Sequence, residues 1–417
     1  MLQGPHGPFF GQLADRLRAQ GAVVWRAGFN SGDEHFWGRR PGYIPVACAP
    51  GDWPDVFGRI AAEHTITDIV LYGDTRPVHA QVVERARIAG LRIHVFEEGY
   101  LRPFWATYER GGSNGHSRLM ALTVDEMRAA LGPCPESPPP PARWGDLREH
   151  ILMGAVYHFC VLALNGRYPN FRPHRAETPL QECRLYLRRL ALLPWHRLER
   201  TAATARVRHG GFRYHVVLLQ LEHDASFRAH SPFRSMTDFI ELCLEGFAAG
   251  AAPGDRLVFK AHPLEDGRAR IGATIRRGAR RLGLGGRVHF LRGGKLAPLL
   301  DGALSAVTVN STAGQQVLWR GKPLRSFGAA VYDKPGLVSH QPLAEFFASP
   351  APPDRAAYAV FRRFLLETSQ LPGGYYAERS RRLLLSRCVA RVLSAHDPYE
   401  MTPAGEASCR QHFAATG

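Results

Sequence analysis

Asp68-Ile69-Val70-Leu71-Tyr72-Gly73-Asp74-Thr75-Arg76-Pro77 is the stretch that decides the fold. A short apolar run ends on a polar loop, a helical pattern follows from about Val78 to Ala89, and Gly90 stops it. Leu91-Arg92-Ile93-His94-Val95-Phe96 then reads as a second strand. Strand, helix and strand joined by short loops make a β-α-β unit, whose crossover implies a parallel sheet. Upstream, Phe9, Leu13 and Leu17 hold helical spacing before Gly21, and Ala22-Val23-Val24-Trp25 reads as strand.

Downstream the same rhythm returns after an interruption. Prolines crowd residues 133–141, which cannot be regular structure and read as a linker or surface loop. From Trp144 to about Arg208 the pattern is helical, with Arg184, Arg188, Arg189, Arg197 and Arg200 set among Leu185, Leu187, Leu190, Leu192 and Leu193. Such a segment either lies on anionic lipid or packs its leucines on a domain. Strands follow at 215–221, 256–260, 288–291, 306–309 and 323–327, with helices near 236–247, 268–282, 296–304 and 313–320. The tail, 356–395, is again helical. The expected architecture is α/β and GT-B-like: two Rossmann-like domains facing a central cleft, with extra helices in the linker region and at the C-terminus. Its parts are 1–145, an acceptor and catalytic domain; 146–208, a basic helical linker; 209–345, the donor-binding domain; and 346–417, a helical segment.

Length and composition set limits on this picture. A chain of 417 residues exceeds what one core usually organises, so two domains are expected. With 45% apolar and 22% charged residues it reads as folded rather than disordered. Lys and Arg outnumber Asp and Glu by 53 to 37, and the resulting +16 favours nucleic acid, an acidic membrane face or a phosphorylated substrate. No basic face interleaved with aromatics and no nucleic-acid module is visible, so nucleic acid is not an expected partner. Seven scattered cysteines without a C-x-x-C pair point to a reducing cytoplasm and away from a metal site. The most apolar window, Ile151 to Leu164, contains Tyr157 and His158 and falls short of the ~20 residues a membrane span needs. The N-terminus lacks a secretion signal pattern.

Ligands of open parallel sheets bind beyond the carboxyl ends of the strands, so the residues there are the candidates. After Phe96 come Glu97-Glu98-Gly99-Tyr100-Leu101-Arg102-Pro103. Adjacent carboxylates raise at least one pKa, Arg102 offsets that, and such a pair either supplies a nucleophile or a general base or has one Glu capping a following helix or pairing with an arginine. One strand earlier, Asp74 either orients an acceptor hydroxyl or caps the next helix, with Arg76 beside it. His6, in Gly4-Pro5-His6-Gly7-Pro8, lies on the same expected edge. Asn30, Asp33 and Asn114 are polar loop residues without a decisive pattern.

In the second half, Lys260-Ala261-His262-Pro263 sets a cation and an imidazole directly after a strand. Asn310-Ser311-Thr312 sets two hydroxyls at a strand-to-helix turn, where unpaired N–H groups favour a phosphate, although Ser311 taken alone reads as a plain N-cap. Arg228 and His230, after the first strand of this half, are candidates for an acidic sugar or for a polar loop. No Walker A loop, no G-x-G-x-x-G after a strand, no G-x-S-x-G and no H-E-x-x-H occurs, which removes support from ATPase, dehydrogenase, serine hydrolase and zinc protease readings. The absence of D-x-D argues against a metal clamp on a sugar diphosphate.

Leu2-Gln3-Gly4-Pro5 with Gly7-Pro8-Phe9-Phe10, then Phe96 to Pro103, Lys260 to Pro263 and Asn310-Ser311-Thr312, together resemble the capsular polysaccharide export proteins of capsule polysaccharide biosynthesis, a retaining β-Kdo transferase family. The resemblance spans nearly the whole chain. It implies a glycosyltransferase that moves Kdo from CMP-Kdo, with no further cofactor, to a phosphatidylglycerol-type lipid, starting the poly-Kdo linker of capsule. It also implies a cytoplasmic protein, peripheral on the inner face of the inner membrane, with other capsule assembly and export proteins as possible partners. Related Kdo transferases carry E-D-G where this chain has Glu97-Glu98-Gly99, so Glu98 takes the place of the active carboxylate. His262, Ser311 and Thr312 take those of CMP-binding residues. Arg76, Arg102 and Lys260 supply charge matching a donor that is anionic at both its carboxylate and its phosphate. The competing readings are a non-catalytic capsule export scaffold, which predicts decayed site motifs, and a nucleotide-sugar epimerase of the same architecture.

Overall fold

The computed structural model describes residues 1–131, 147–171, 193–263, 265 and 269–400. The proline-rich stretch 133–141 and Arg184, Arg188 and Arg189 with their neighbouring leucines lie outside the described residues. The chain divides into two compact units, one within 1–174 and 362–417, the other within 175–361. Both are α/β.

In the first unit, β1 (Arg26–Gly28) and β2 (Tyr43–Pro45) pair in parallel, as do β3 (Asp68–Tyr72) and β4 (Arg92–Glu98). Residues 1–3 bridge the two pairs: the N–H of Ala27 donates to the Met1 carbonyl, and that of Leu2 to the Val70 carbonyl. β5 (Trp105–Arg110) runs antiparallel to β4, and the strand Gln370–Pro372 antiparallel to β5, so the sheet is mixed rather than purely parallel. The side-chain period of two sorts the core onto two faces. Val70, Tyr72 and Phe96 meet Phe9 and Leu13 of α1 (Phe9–Ala19) and Leu384 and Cys388 of the helix Glu378–Leu393. Ile69, Leu71, Ile93 and Val95 meet Trp53 and Phe57 of α2 (Trp53–Glu63) and Val82 and Ala86 of α3 (Pro77–Ile88). Covering both faces explains why β3 reads as an unbroken apolar run after Asp68.

Three expectations differ in detail. The strand placed at 22–25 begins at Arg26, and Val23 is 81% exposed; the short buried run is the one that pairs. β4 continues past Phe96 because β5 pairs with its last residues, Glu97 opposite Thr107 and Glu98 opposite Ala106. The tail is not wholly helical, since Gln370–Pro372 inserts a strand between two helices.

The second unit is a five-stranded, all-parallel sheet in the order β10-β9-β6-β7-β8, where β6 is Tyr214–Leu218, β7 Arg256–Lys260, β8 Val288–Leu291, β9 Ala306–Thr308 and β10 Leu324–Ser326. The chain starts in the middle, builds outward through β7 and β8, then crosses back to add β9 and β10. That reversal puts a topological switch point between β6 and β9, where doubly wound sheets open a crevice for ligands. The fully buried Phe239, Leu244 and Phe247 of the helix Met236–Gly250 pack with Leu257 and Phe259 of β7 and Phe346.

Candidate active site

The acidic loop is shaped by close backbone approach. A Cβ on Gly73, whose φ is +70°, would lie 2.9 Å from Glu97 Oε2, and one on Gly99 would lie 2.0 Å from the Trp105 carbonyl oxygen. Only glycine fits either place. The buried Gln370 pins the turn after Glu98, its Oε1 accepting from the N–H of Tyr100 at 2.9 Å while its Nε2 donates to Thr107 Oγ1 at 3.0 Å.

Glu97 and Glu98 leave β4 on opposite faces, as neighbouring strand residues do. Glu98 shares the face of Tyr72 and the C-terminal tyrosines: its Oε1 accepts from the Tyr72 hydroxyl at 3.0 Å and lies 3.5 Å from that of Tyr376. The Tyr375 hydroxyl donates to the Glu97 carbonyl at 2.7 Å. Burial, then the charge of Glu98, pushes the phenols of Tyr72, Tyr375 and Tyr376 far up, so all three stay hydroxyl donors. Glu97 as a residue is half-buried, but its carboxyl is withdrawn from water, and burial pushes it up to about 7. Glu98 adds to the rise; the Glu98 N–H, donating to Glu97 Oε1 at 2.9 Å, and the charges of Arg76 and Arg102 act against it.

Among the expected first-half residues, Arg76 and Arg102 therefore come together with the carboxylate pair. The Arg76 guanidinium lies over the Tyr72 ring, 4.9 Å from its centroid, and donates to Gln3 Oε1 and the Gly4 carbonyl at 3.2 and 3.1 Å. Arg102 is exposed and donates to the Gly99 carbonyl at 3.3 Å. Asp74 is buried and faces another way: it accepts from the Ser113 N–H at 2.9 Å and the His116 ring at 3.1 Å, and the cap position of α3 belongs to Arg76. His6 stacks on Tyr157, ring centroids 4.1 Å apart.

Sequence reasoning passed over Tyr72, Tyr375 and Tyr376, and it placed Asp33 in a loop, whereas Asp33 lies in the helix Ser31–Trp37 and joins Gln3, Arg26 and Tyr157 in one network. Arg26 and Asp33, both buried, pair at 2.9 Å, and the Tyr157 hydroxyl accepts from Gln3 Nε2 at 3.0 Å and Asn30 Nδ2 at 2.7 Å. Tyr375 and Tyr376 come from a segment some 280 positions away, and no local signal joins them to the carboxylate pair.

In the second unit the expected donor residues gather at the carboxyl end of the sheet. Lys260 is buried at the end of β7, its Nζ donating to the Ala261 carbonyl at 3.0 Å, and half-exposed His262 follows it. Asn310 spans the switch point. Its N–H donates to Gln220 Oε1 at 3.0 Å, its Oδ1 accepts from Gln220 Nε2 at 2.8 Å, and its Nδ2 donates to the Ser226 carbonyl at 3.1 Å and the His230 carbonyl at 3.4 Å. That last pair holds the helix Ala225–His230, on which Arg228 is exposed. Ser311 Oγ accepts from the Ala313 N–H at 3.2 Å, which closes a local turn rather than capping the helix, since the cap position of Gly314–Trp319 is Ala313, and Thr312 is half-exposed beside it. Pro263 is exposed after His262. The following helix, Gly314–Trp319, is too short for its dipole to be argued as an anion site.

The family described as capsule polysaccharide biosynthesis protein matches residues 67–376. The chain is 30% identical over 381 residues to the capsule polysaccharide export protein KpsS of Escherichia coli, covering 90% of this chain and 96% of that one. It is 31% identical over 388 residues to the capsule polysaccharide modification protein LipB of Neisseria meningitidis serogroup B, covering 91% of each. Among solved structures, KpsC β-Kdo 2,7 transferase of Thermosulfurimonas dismutans is similar at 13% identity and a TM-score of 0.41, over 83% of this chain and 92% of that one. A match over most of the chain, with relatives aligned nearly end to end, places this chain in the capsule polysaccharide biosynthesis protein family.

Proposed function

We propose that the protein is a retaining β-Kdo glycosyltransferase that takes Kdo from CMP-Kdo and places it on a phosphatidylglycerol-type lipid, initiating the poly-Kdo linker. The observation that carries this reading is the Glu98 carboxylate, held by tyrosine hydroxyls at the end of β4 with Arg76 and Arg102 close by. A developing oxocarbenium ion needs a carboxylate, and an anionic sugar needs cations beside it. In the first step a Glu98 oxygen bonds to the anomeric carbon, the bond from that carbon to the CMP phosphate oxygen breaks, and the electron pair leaves with CMP. In the second, an acceptor hydroxyl oxygen attacks the same carbon, the bond to Glu98 breaks, and the hydroxyl proton passes to solvent. Two displacements retain configuration.

Lys260, His262, Ser311 and Thr312 bind CMP in this reading, supported by their position at the carboxyl end of a doubly wound sheet. Asn310, next to Ser311, ties the end of β9 to Gln220 and the 226–230 turn. Arg228 and His230 serve the acidic sugar. No cofactor enters either step. The test is mass analysis of products from CMP-Kdo and a fluorescent phosphatidylglycerol analogue. Glu98→Gln is expected to lower turnover by about a thousandfold or more with the fold intact; unaltered turnover removes Glu98 from the chemistry, and an epimerised nucleotide sugar as product removes the transferase reading.

A further inference from the structure

The helix α4 (Leu147–Ala163) carries more apolar surface than its own unit uses. One face is spent inward. Tyr157 and Cys160 are buried, His6 stacks on Tyr157, and the His150 ring stacks on Tyr376 with centroids 4.0 Å apart. The opposite face holds Ile151, Leu152, Ala155, Phe159, Leu162 and Ala163, all exposed. Steps of three and four residues confine these six positions to one sector of roughly 120° on a helix of 3.6 residues per turn. The four large side chains are between 58% and 63% exposed. The first turn adds one exposed charge, Arg148, and no other exposed position of this helix is charged or polar. A surface helix ordinarily turns its polar side outward, and an exposed apolar face this continuous marks a site of interaction.

Charge selects the occupant. Arg148 and Arg167 are exposed near the two ends of the helix. The whole chain carries +16, so a second copy meeting this face would bring the same positive flanks with it. Anionic lipid headgroups complement those flanks, and the acyl boundary below them accepts the leucines and phenylalanine. Among the described residues no helix is long and apolar enough to cross a membrane, so this one lies along the surface. We propose that the outward face of α4 is the surface by which the protein rests on an anionic lipid bilayer. The contact stands on exposure and charge alone. It touches the transferase reading at one point: through the His150–Tyr376 stack, α4 borders the tyrosines that hold Glu98, so a lipid-borne acceptor would arrive beside the carboxylate.

The experiment is co-sedimentation of the full chain with phosphatidylcholine vesicles, with and without phosphatidylglycerol, at low and high salt. The wild type is expected to pellet with the phosphatidylglycerol vesicles and less so as salt rises. The combined variant Leu152→Ser, Phe159→Ser, Leu162→Ser is expected to partition about tenfold or more weakly. Amide hydrogen exchange on the wild type gives a readout independent of any variant's folding, and vesicles should slow exchange across 147–163. Equal partition of wild type and variant, equal binding to neutral vesicles, or unaltered exchange in this helix overturns the proposal. So does a dimer seen without lipid by sedimentation velocity that the variant abolishes while vesicle binding persists, since the face then belongs to a second copy. None of these readouts involves turnover, so failure of the transferase reading is told apart from failure of the lipid contact.

Discussion

At the scale of single residues, the acidic site works by keeping two neighbouring carboxyls unlike. Glu98 is met by hydroxyl donors, whereas Glu97 turns to the other face, loses water, and titrates near 7. In the proposed reaction, a Glu97 that ionises adds a second negative charge where the anionic donor would bind. The kcat/KM for CMP-Kdo should therefore fall as pH rises through about 7, and Glu97→Gln, which fixes the neutral form, should flatten that limb while preserving the rate below it. A pH–rate profile checks this, and an unchanged alkaline limb in the variant contradicts it. Gly73 sets the same geometry from the backbone side. Gly73→Ala puts a methyl 2.9 Å from Glu97 Oε2 at a φ of +70°, and about 1–3 kcal/mol of stability should be lost, read by denaturant unfolding. The carboxylate pair and its glycine were legible because E-E-G-Y-L-R-P is contiguous in the chain. Its tyrosine partners were not, because Tyr375 and Tyr376 reach it only through tertiary packing of the C-terminal segment.

Elements show the same division between local and long-range information. In the second unit β7 and β8 were legible to the residue, since each is a short, largely apolar stretch bounded by loops. In the first unit β5, Trp105–Arg110, mixes apolar, hydroxyl-bearing and charged residues without a clear period, and Gln370–Pro372 is three residues inside a helical tail, so neither announces itself. Pairing, not propensity, makes them strands. The hydrogen bonds after β9 show which of the residues expected to bind the donor are framework. Asn310 is buried and spends its side chain on Gln220 and two carbonyls, so Asn310→Ala strands several buried polar groups together. It should cost about 2–4 kcal/mol and lower the melting temperature of the ligand-free protein. Ser311→Ala removes one turn hydrogen bond and should cost only about 1 kcal/mol, so any large loss of CMP affinity in that variant reports ligand contact rather than folding. Calorimetric melting with and without CMP separates the two; equal melting shifts for both variants without ligand would contradict the assignment.

Over the whole molecule, pH acts on the two units through different buried groups, and the signs are opposite. Glu109 in the first unit is fully buried and pushed up to about 7 by that burial, against the hydrogen bond that Ser117 donates. Its unfolded counterpart gives up its proton near the ordinary 4.5, so between about 4.5 and 7 the folded state alone keeps a proton. Stability from this group is full below that window and is lost as pH rises through it. His215 in the second unit is the reverse case. Burial holds its ring down to about 4, with Asp255 only partly opposing, and Ser305 Oγ lies 2.8 Å from Nδ1. The unfolded ring takes a proton near 6.5 and the folded one does not, so stability falls as pH drops from about 6.5 to 4. Each group contributes at most about 1.4 kcal/mol per pH unit within its window. Comparing each variant with wild type cancels every other titration in the chain. The stability of Glu109→Gln relative to wild type should rise with pH between 4.5 and 7, and that of His215→Asn should rise as pH falls from 6.5 to 4, both read by denaturant unfolding at stepped pH. Were the two differences to slope the same way, the buried environments assigned to these side chains would be wrong, because burial of a neutral acid and of a neutral base must shift proton uptake in opposite directions.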